Sequence, residues 1–159
     1  MKAGDVRKRL KKLGTRERAE VSRRFFKTAP GEYGEGDVFL GVRVPELRRL
    51  AKEFQDLDPR EIRNLIRSEI HEERLVALLI LVRNYPKADQ QAQKRVYDLY
   101  MGHLGFVNNW DLVDVSAEHV VGAFLWDKDK SPLYRLARSK DLWKRRVSML
   151  ATFHYIKRD

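Results

Sequence analysis

In the segment NNWDLVD (108–114), Trp110 and Asp114 stand four residues apart, the spacing that puts two side chains on one helical face. An aromatic ring beside a carboxylate suits a cationic or oxocarbenium-like centre, because the π face and the anion both favour positive charge. Asp111 lies one step round the helix, Glu118 continues the Asp114 side, and Asn108 or Asn109 offers an N-cap. The same residues serve equally as a core tryptophan with Asp114 capping or salt-bridging a neighbouring helix. LWKRR (142–146) is the second candidate. Its Arg145 and Arg146 point about 100° apart on a helix, so at most one of them faces the core side. An arginine so placed grips a phosphate through two parallel hydrogen bonds, a geometry lysine lacks; the alternative is a surface ion pair. Trp143 beside them reads as a packing residue.

Other chemistries find no residues to carry them. With no cysteine in the chain, disulfides, thiolate nucleophiles and Cys-ligated metals are excluded. HEER (71–74) opens like a zinc-protease motif, but Leu75 stands where the second histidine belongs. His71, His103, His119 and His154 are isolated in sequence and read as structural. The glycine-rich stretch APGEYGEGD (29–37) lacks the Gly-Lys-Ser/Thr ending of a phosphate-cradling loop, and no Gly-x-Ser-x-Gly elbow occurs.

Charge points to a partner class. The chain has 159 residues and a net charge of +10, unevenly spread. Residues 1–27 hold 11 Lys or Arg against three acids, and residues 138–159 hold seven against two. The stretch between carries a small acidic surplus, so two basic ends flank a near-neutral middle. That arrangement suits a polyanion, with nucleic acid the first expectation and a merely solubilising basic face the second. The longest apolar run, Leu75–Val82, is far short of the ~20 residues a membrane span needs, and the N-terminus has no apolar signal region. The expectation is one soluble cytoplasmic domain over residues 1–159.

The elements that must position these residues are helical. After Pro45, residues Leu47, Leu50, Ala51 and Phe54 form one apolar stripe. Asp58–Pro59 signals a second helix start, with Ile62, Leu65 and Ile66 as its stripe. Glu69, Glu72 and Glu73 suit the positive end of the next helix, whose LVALLILV run marks it as buried nearly all round. Further helices are predicted near 90–101, 109–126, 132–138 and 141–157, with weak strand-like alternation only at Val38–Val44. Residues 65–79 align with 136–150 at an offset of 71, matching Leu65 with Leu136, Ser68 with Ser139, Arg74 with Arg145 and Val76 with Val147. Two units of about 35 residues fit that offset, with 102–126 filling the gap. Such a period predicts an all-α, HEAT-like helical repeat solenoid, an α-α superhelix with an extended concave face.

The segments FFKTAPGEYGEGDVFLGVRVPELRRLAKEF (25–54), SEIHEER (68–74), NNWDLVD (108–114) and LWKRRVSMLATF (142–153) together resemble the AlkD-type DNA alkylation repair family. The similarity covers nearly the whole chain. It implies HEAT-like repeats wrapped around double-stranded DNA and a monofunctional glycosylase that removes cationic N3- and N7-alkylated purines without base flipping. It implies no metal or cofactor. By position, Trp110 and Asp114 match the family's catalytic pair, and Arg146 its active-site arginine, with Arg145 adjacent as the alternative register. In that mechanism Trp110 packs against the deoxyribose, Asp114 stabilises the oxocarbenium ion and positions water, and Arg146 holds a phosphate. Candidate DNA contacts are Lys27, Arg43, Arg48, Lys144 and Arg145, and the protein is expected to act as a monomer. Family members run on for further helices that carry another active-site Trp. The resemblance therefore implies the N-terminal portion of such a domain, either a truncated array or a shortened relative. The rival expectation is a non-catalytic HEAT-like module that binds nucleic acid or an acidic protein; a third is a helical scaffold with solubilising ends.

Overall fold

The structure is a computed structural model in which residues 1–158 are described, so Asp159 lies outside the described residues. The described residues are all-α, with one isolated parallel bridge between Val38 and Ile70, at the start of the stretch that showed weak strand-like alternation. The chain divides into two compact units, Met1–Arg83 and Asn84–Asp159.

The first unit begins with α1 (Ala3–Leu13) and α2 (Arg16–Phe25). Ala3, Val6 and Leu10 bury one stripe of α1, and Thr15 starts α2 by accepting the Arg18 amide at 3.4 Å. α3 (Val44–Glu53) carries Pro45 in its first turn and buries Leu47, Leu50 and Ala51. α4 (Pro59–Ile66) is capped by Asp58, whose carboxylate accepts the Arg60 amide at 2.8 Å. α5 (His71–Asn84) is buried continuously from His71 to Leu81, as its all-round apolar run requires.

The first turn of α5 departs from the sequence reading. Its acids do not simply complement the helix dipole; they hold distant chain. The Glu72 carboxylate accepts the amides of Leu40, Gly41 and Val42 at 3.0, 2.8 and 3.3 Å, and Glu73 pairs with Arg7 at 2.9 Å. Asp37, almost fully buried, lies 3.0 Å from His71 Nδ1 and 2.6 Å from an Arg74 terminal nitrogen. HEER is thus the anchor that fastens the 26–43 segment to α5, and the stacked rings of Phe26, Phe39 and His71 lie above it. Arg18 adds a tie by donating to the Gly41 and Leu13 carbonyls, both at 2.8 Å. Gly41 has φ of 77°, and a Cβ there would stand 2.4 Å from backbone atoms of Thr15 and Ala19. Only glycine meets both demands.

The second unit holds α6 (Gln90–Met101), capped by Asp89, then α7 (Trp110–Asp114), a π turn at Glu118–Gly122, and α8 (Ala123–Leu125). α9 (Ser131–Ala137), α10 (Leu142–Ala151) and α11 (Phe153–Ile156) complete it. Asp141 caps α10 by accepting the Trp143 amide at 2.8 Å. Two predicted helices come out interrupted. Residues 109–126 break after Asp114, where Ser116 turns its hydroxyl back onto the Leu112 carbonyl at 2.5 Å, a bond that competes with helix continuation. Residues 141–157 break at Thr152, whose hydroxyl likewise bonds the Met149 carbonyl at 2.6 Å.

α10 packs against α9, α7 and the π turn, and Gly122 of the π turn lies against Ala151 at its end. A Cβ on Gly122 would meet the Ala151 carbonyl oxygen at 2.2 Å. Gly122→Ala must therefore push α10 away, and is expected to cost about 1–3 kcal/mol as overpacking. Thermal unfolding that matches wild type would contradict so tight a contact.

The internal alignment reappears as a repeated hydrogen-bond pattern. The turn from α4 into α5 has Arg74 Nη1 donating to the Ser68 and Glu69 carbonyls at 2.8 and 3.1 Å. The turn from α9 into α10 has Arg145 Nη1 donating to the Ser139 and Lys140 carbonyls, both at 2.9 Å. The hydroxyls of Ser68 and Ser139 accept the amides of Ile70 and Asp141, both at 3.1 Å. Leu65 and Leu136 are buried in equivalent helices, as are Val76 and Val147.

Candidate active site

Two short stretches of the second unit build the site. α7 supplies Trp110 and Asp114, one turn apart, both half-buried. The helix starts where Asn109, fully buried, accepts the Trp110 amide at 2.8 Å, so Asn109 is the capping residue of the two asparagines. Leu112 and Val113 have no exposed surface, whereas Trp110 and Asp114 on the same turn are both partly exposed.

α10 supplies Arg146. Its Nε donates to Asp114 Oδ1 at 2.7 Å and its terminal nitrogen to Oδ2 at 2.8 Å, a bidentate fork. Hydrogen bonding to Asp114 raises the already high pKa of the guanidinium, with burial opposing. The fork uses two of the five guanidinium N–H groups and leaves the others for an anion. Neither side chain is sealed off: Arg146 is 39% and Asp114 32% exposed. A carboxylate and an aromatic residue are thus held at an accessible position, beside a cation that retains donors.

The adjacent arginines separate cleanly. Arg145 is turned to the carbonyls of the preceding loop, while Arg146 meets the carboxylate. Lys144 is half-buried on the same helix. Of the remaining candidates, Lys27, Arg43 and Arg48 are exposed residues of the first unit. Lys27 follows α2 with φ of 54° and lines a shallow concavity with Arg23, Arg24 and Glu32. Sequence reasoning did not single out Arg23 or Arg24, although both belong to the N-terminal basic surplus.

Under α7 lies a second layer that sequence reasoning did not mark. Tyr100 and Ser116, neither with exposed surface, stand 2.9 Å apart through their oxygens. Burial pushes the Tyr100 hydroxyl well above its ordinary pKa, with the Ser116 bond opposing, so it is a neutral hydroxyl at any physiological pH. Glu118, at the start of the π turn, is largely buried and accepts both of its bonds from Lys157, at 2.8 and 3.0 Å. Among the described residues no group of three or more His, Asp or Glu could hold a metal ion. No helix among them is long and apolar enough to cross a membrane.

Comparison with known proteins gives one match. The sequence model of a family described as DNA alkylation repair enzyme matches residues 6–159. No curated protein and no solved structure matches significantly.

Proposed function

The chain belongs to the DNA alkylation repair enzyme family, and from that premise we propose that it is a glycosylase for cationic N3- or N7-alkylated purines in duplex DNA. The observation that carries this reading is the pairing of Asp114 with Arg146, one helical turn from Trp110, with all three partly exposed. In the reaction the C1′–N bond breaks with its electron pair going to the purine, which cancels the purine's positive charge. Water then adds to C1′ and gives up a proton. The leaving group is already activated, so the protein's main task is to stabilise a positively charged sugar. The Asp114 carboxylate does so, and orients the water. Trp110 covers the deoxyribose, and the spare Arg146 donors take the neighbouring phosphate. No base flipping is required, since the groups address the sugar and backbone.

The helix pairs are read as HEAT-like repeats whose basic residues grip the DNA backbone, and the protein as a cytoplasmic monomer. Such a grip releases counterions, so log Kobs against log salt should fall with a slope near −0.9 per phosphate neutralised. Arg48→Ala is expected to shallow that slope by about one such step. Arg49→Ala is expected to shallow it less, because Arg49 is already paired with Glu46. A salt-independent affinity would exclude the backbone grip.

The closed ion pair also favours a second reading, in which Asp114 and Arg146 only tie α7 to α10 and the chain binds DNA without turnover. Incubation with duplex DNA bearing N7-methylguanine separates the two. Free purine supports the glycosylase, and binding with no release supports the module.

A further inference from the structure

The helix that carries Asp114 cannot hold itself. α7 has five residues, where an isolated helix in water needs about 12–15 to be marginally stable. Its carbonyl end is held instead by Ser116, whose Oγ lies 2.5 Å from the Leu112 oxygen and 3.4 Å from that of Val113. A hydroxyl has one proton to give. With that proton committed to the Leu112 carbonyl, the 2.9 Å contact between Tyr100 and Ser116 requires the Tyr100 O–H as donor. The result is a directed relay from Tyr100 through Ser116 to a peptide two residues before Asp114. Tyr100 itself sits in α6, a twelve-residue helix with its own Asp89 cap, so a stable element grips an unstable one.

We propose that Tyr100 and Ser116 are positioning residues for Asp114, their hydroxyl relay fixing the angle at which the carboxylate meets Arg146 and the substrate sugar. This rests on the reading of Asp114 as the group that stabilises the sugar cation. The relay is buried on all sides, where each bond is stronger than in water and each orphaned partner is costly. Removing the Ser116 hydroxyl strands both the Tyr100 O–H and the Leu112 carbonyl. The carbonyl end of the one-turn helix then keeps only its backbone bonds, from the Val115 and Ser116 amides to the Asp111 and Val113 carbonyls. Carboxylate placement matters steeply, because a shift of about 1 Å in a reacting geometry can cost about a hundredfold in rate.

The test uses the full chain with Ser116→Ala and, separately, Tyr100→Phe, each made in the wild-type and the Asp114→Asn backgrounds. Tyr100→Phe keeps the ring and its packing, so it serves if Ser116→Ala fails to fold. Two quantities are read: single-turnover release of N7-methylguanine with duplex affinity alongside, and the Arg146 Nε–H resonance, which reports the ion pair directly. The expected result is release slowed at least about tenfold with affinity nearly unchanged. No further loss should occur once Asp114 is Asn, and the Arg146 resonance should be shifted or broadened. An equal fold-loss in both backgrounds, or an Arg146 resonance that does not move, would overturn the proposal. If the wild-type chain releases no purine, the glycosylase reading fails. The Arg146 resonance then decides positioning alone: movement supports it and constancy refutes it.

Discussion

Asp114→Asn is expected to leave the chain folded while lowering the rate of purine release by about 10²–10³-fold, the effect of removing one preorganised group that faces developing charge. Asparagine keeps the shape of the side chain and one acceptor oxygen, which can still take the Arg146 Nε–H. The second oxygen becomes an amide NH₂ facing a guanidinium nitrogen, so the fork with its 2.7 and 2.8 Å arms becomes a single bond. The stability cost is small because both side chains are about one-third exposed and screened by water; such pairs contribute about 0–1 kcal/mol. In the proposed mechanism the rate cost is large because the negative charge itself faces the sugar cation. Single-turnover release from N7-methylguanine duplex, with thermal unfolding as the control, reads the two effects apart. An unchanged rate would take Asp114 out of the mechanism.

Asp37→Asn is expected to be the opposite case, a substitution remote in sequence from the site that endangers the first unit. Asp37 is 7% exposed and holds both His71 and Arg74. Arg74 is itself 3% exposed, and its other bonds go to neutral carbonyls of Ser68 and Glu69. Neutralising Asp37 leaves a buried guanidinium without its counter-charge, which costs about 3–5 kcal/mol. Against a typical total of about 5–15 kcal/mol that is a large share. The denaturant midpoint of unfolding checks it. Glu20→Gln is the comparison, since the bonds of Glu20 to Arg16 and Arg23 are exposed and its loss should move the midpoint little. Equal shifts for the two variants would mean the buried network contributes nothing beyond an ordinary surface pair.

Much of this architecture is legible in the chain itself. Helix starts follow from Pro45, Asp58–Pro59 and Asn109, and buried faces follow from the spacing of Leu47, Leu50 and Ala51. These are local signals, written within one or two turns. The role of HEER is not local: Asp37 and His71 are 34 residues apart, and nothing in either neighbourhood names the other. The same holds for Asp114 and Arg146, 32 residues apart, which can be suspected separately but not paired. The interruption of residues 109–126 lies between these extremes. A serine among valines is a weak hint, and only the buried Tyr100 hydroxyl makes it a stop. The different settings of Arg145 and Arg146 had a signal in plain view. The internal alignment pairs Arg145 with Arg74, and both arginines close the same kind of turn, which leaves Arg146 as the one outside the repeat.

That shared turn sets an arithmetic for length change. In each copy an arginine reaches back five and six residues to two carbonyls of its own loop, and a serine hydroxyl accepts an amide two residues on. The loop bonds of each lock lie within one helix–turn–helix, although Arg74 is held by Asp37 as well. Adding or deleting a whole pair of helices therefore leaves every remaining lock intact, whereas one residue gained or lost inside a turn breaks the register between arginine and carbonyls. Engineered insertions should be tolerated in whole-repeat steps and rejected one residue at a time.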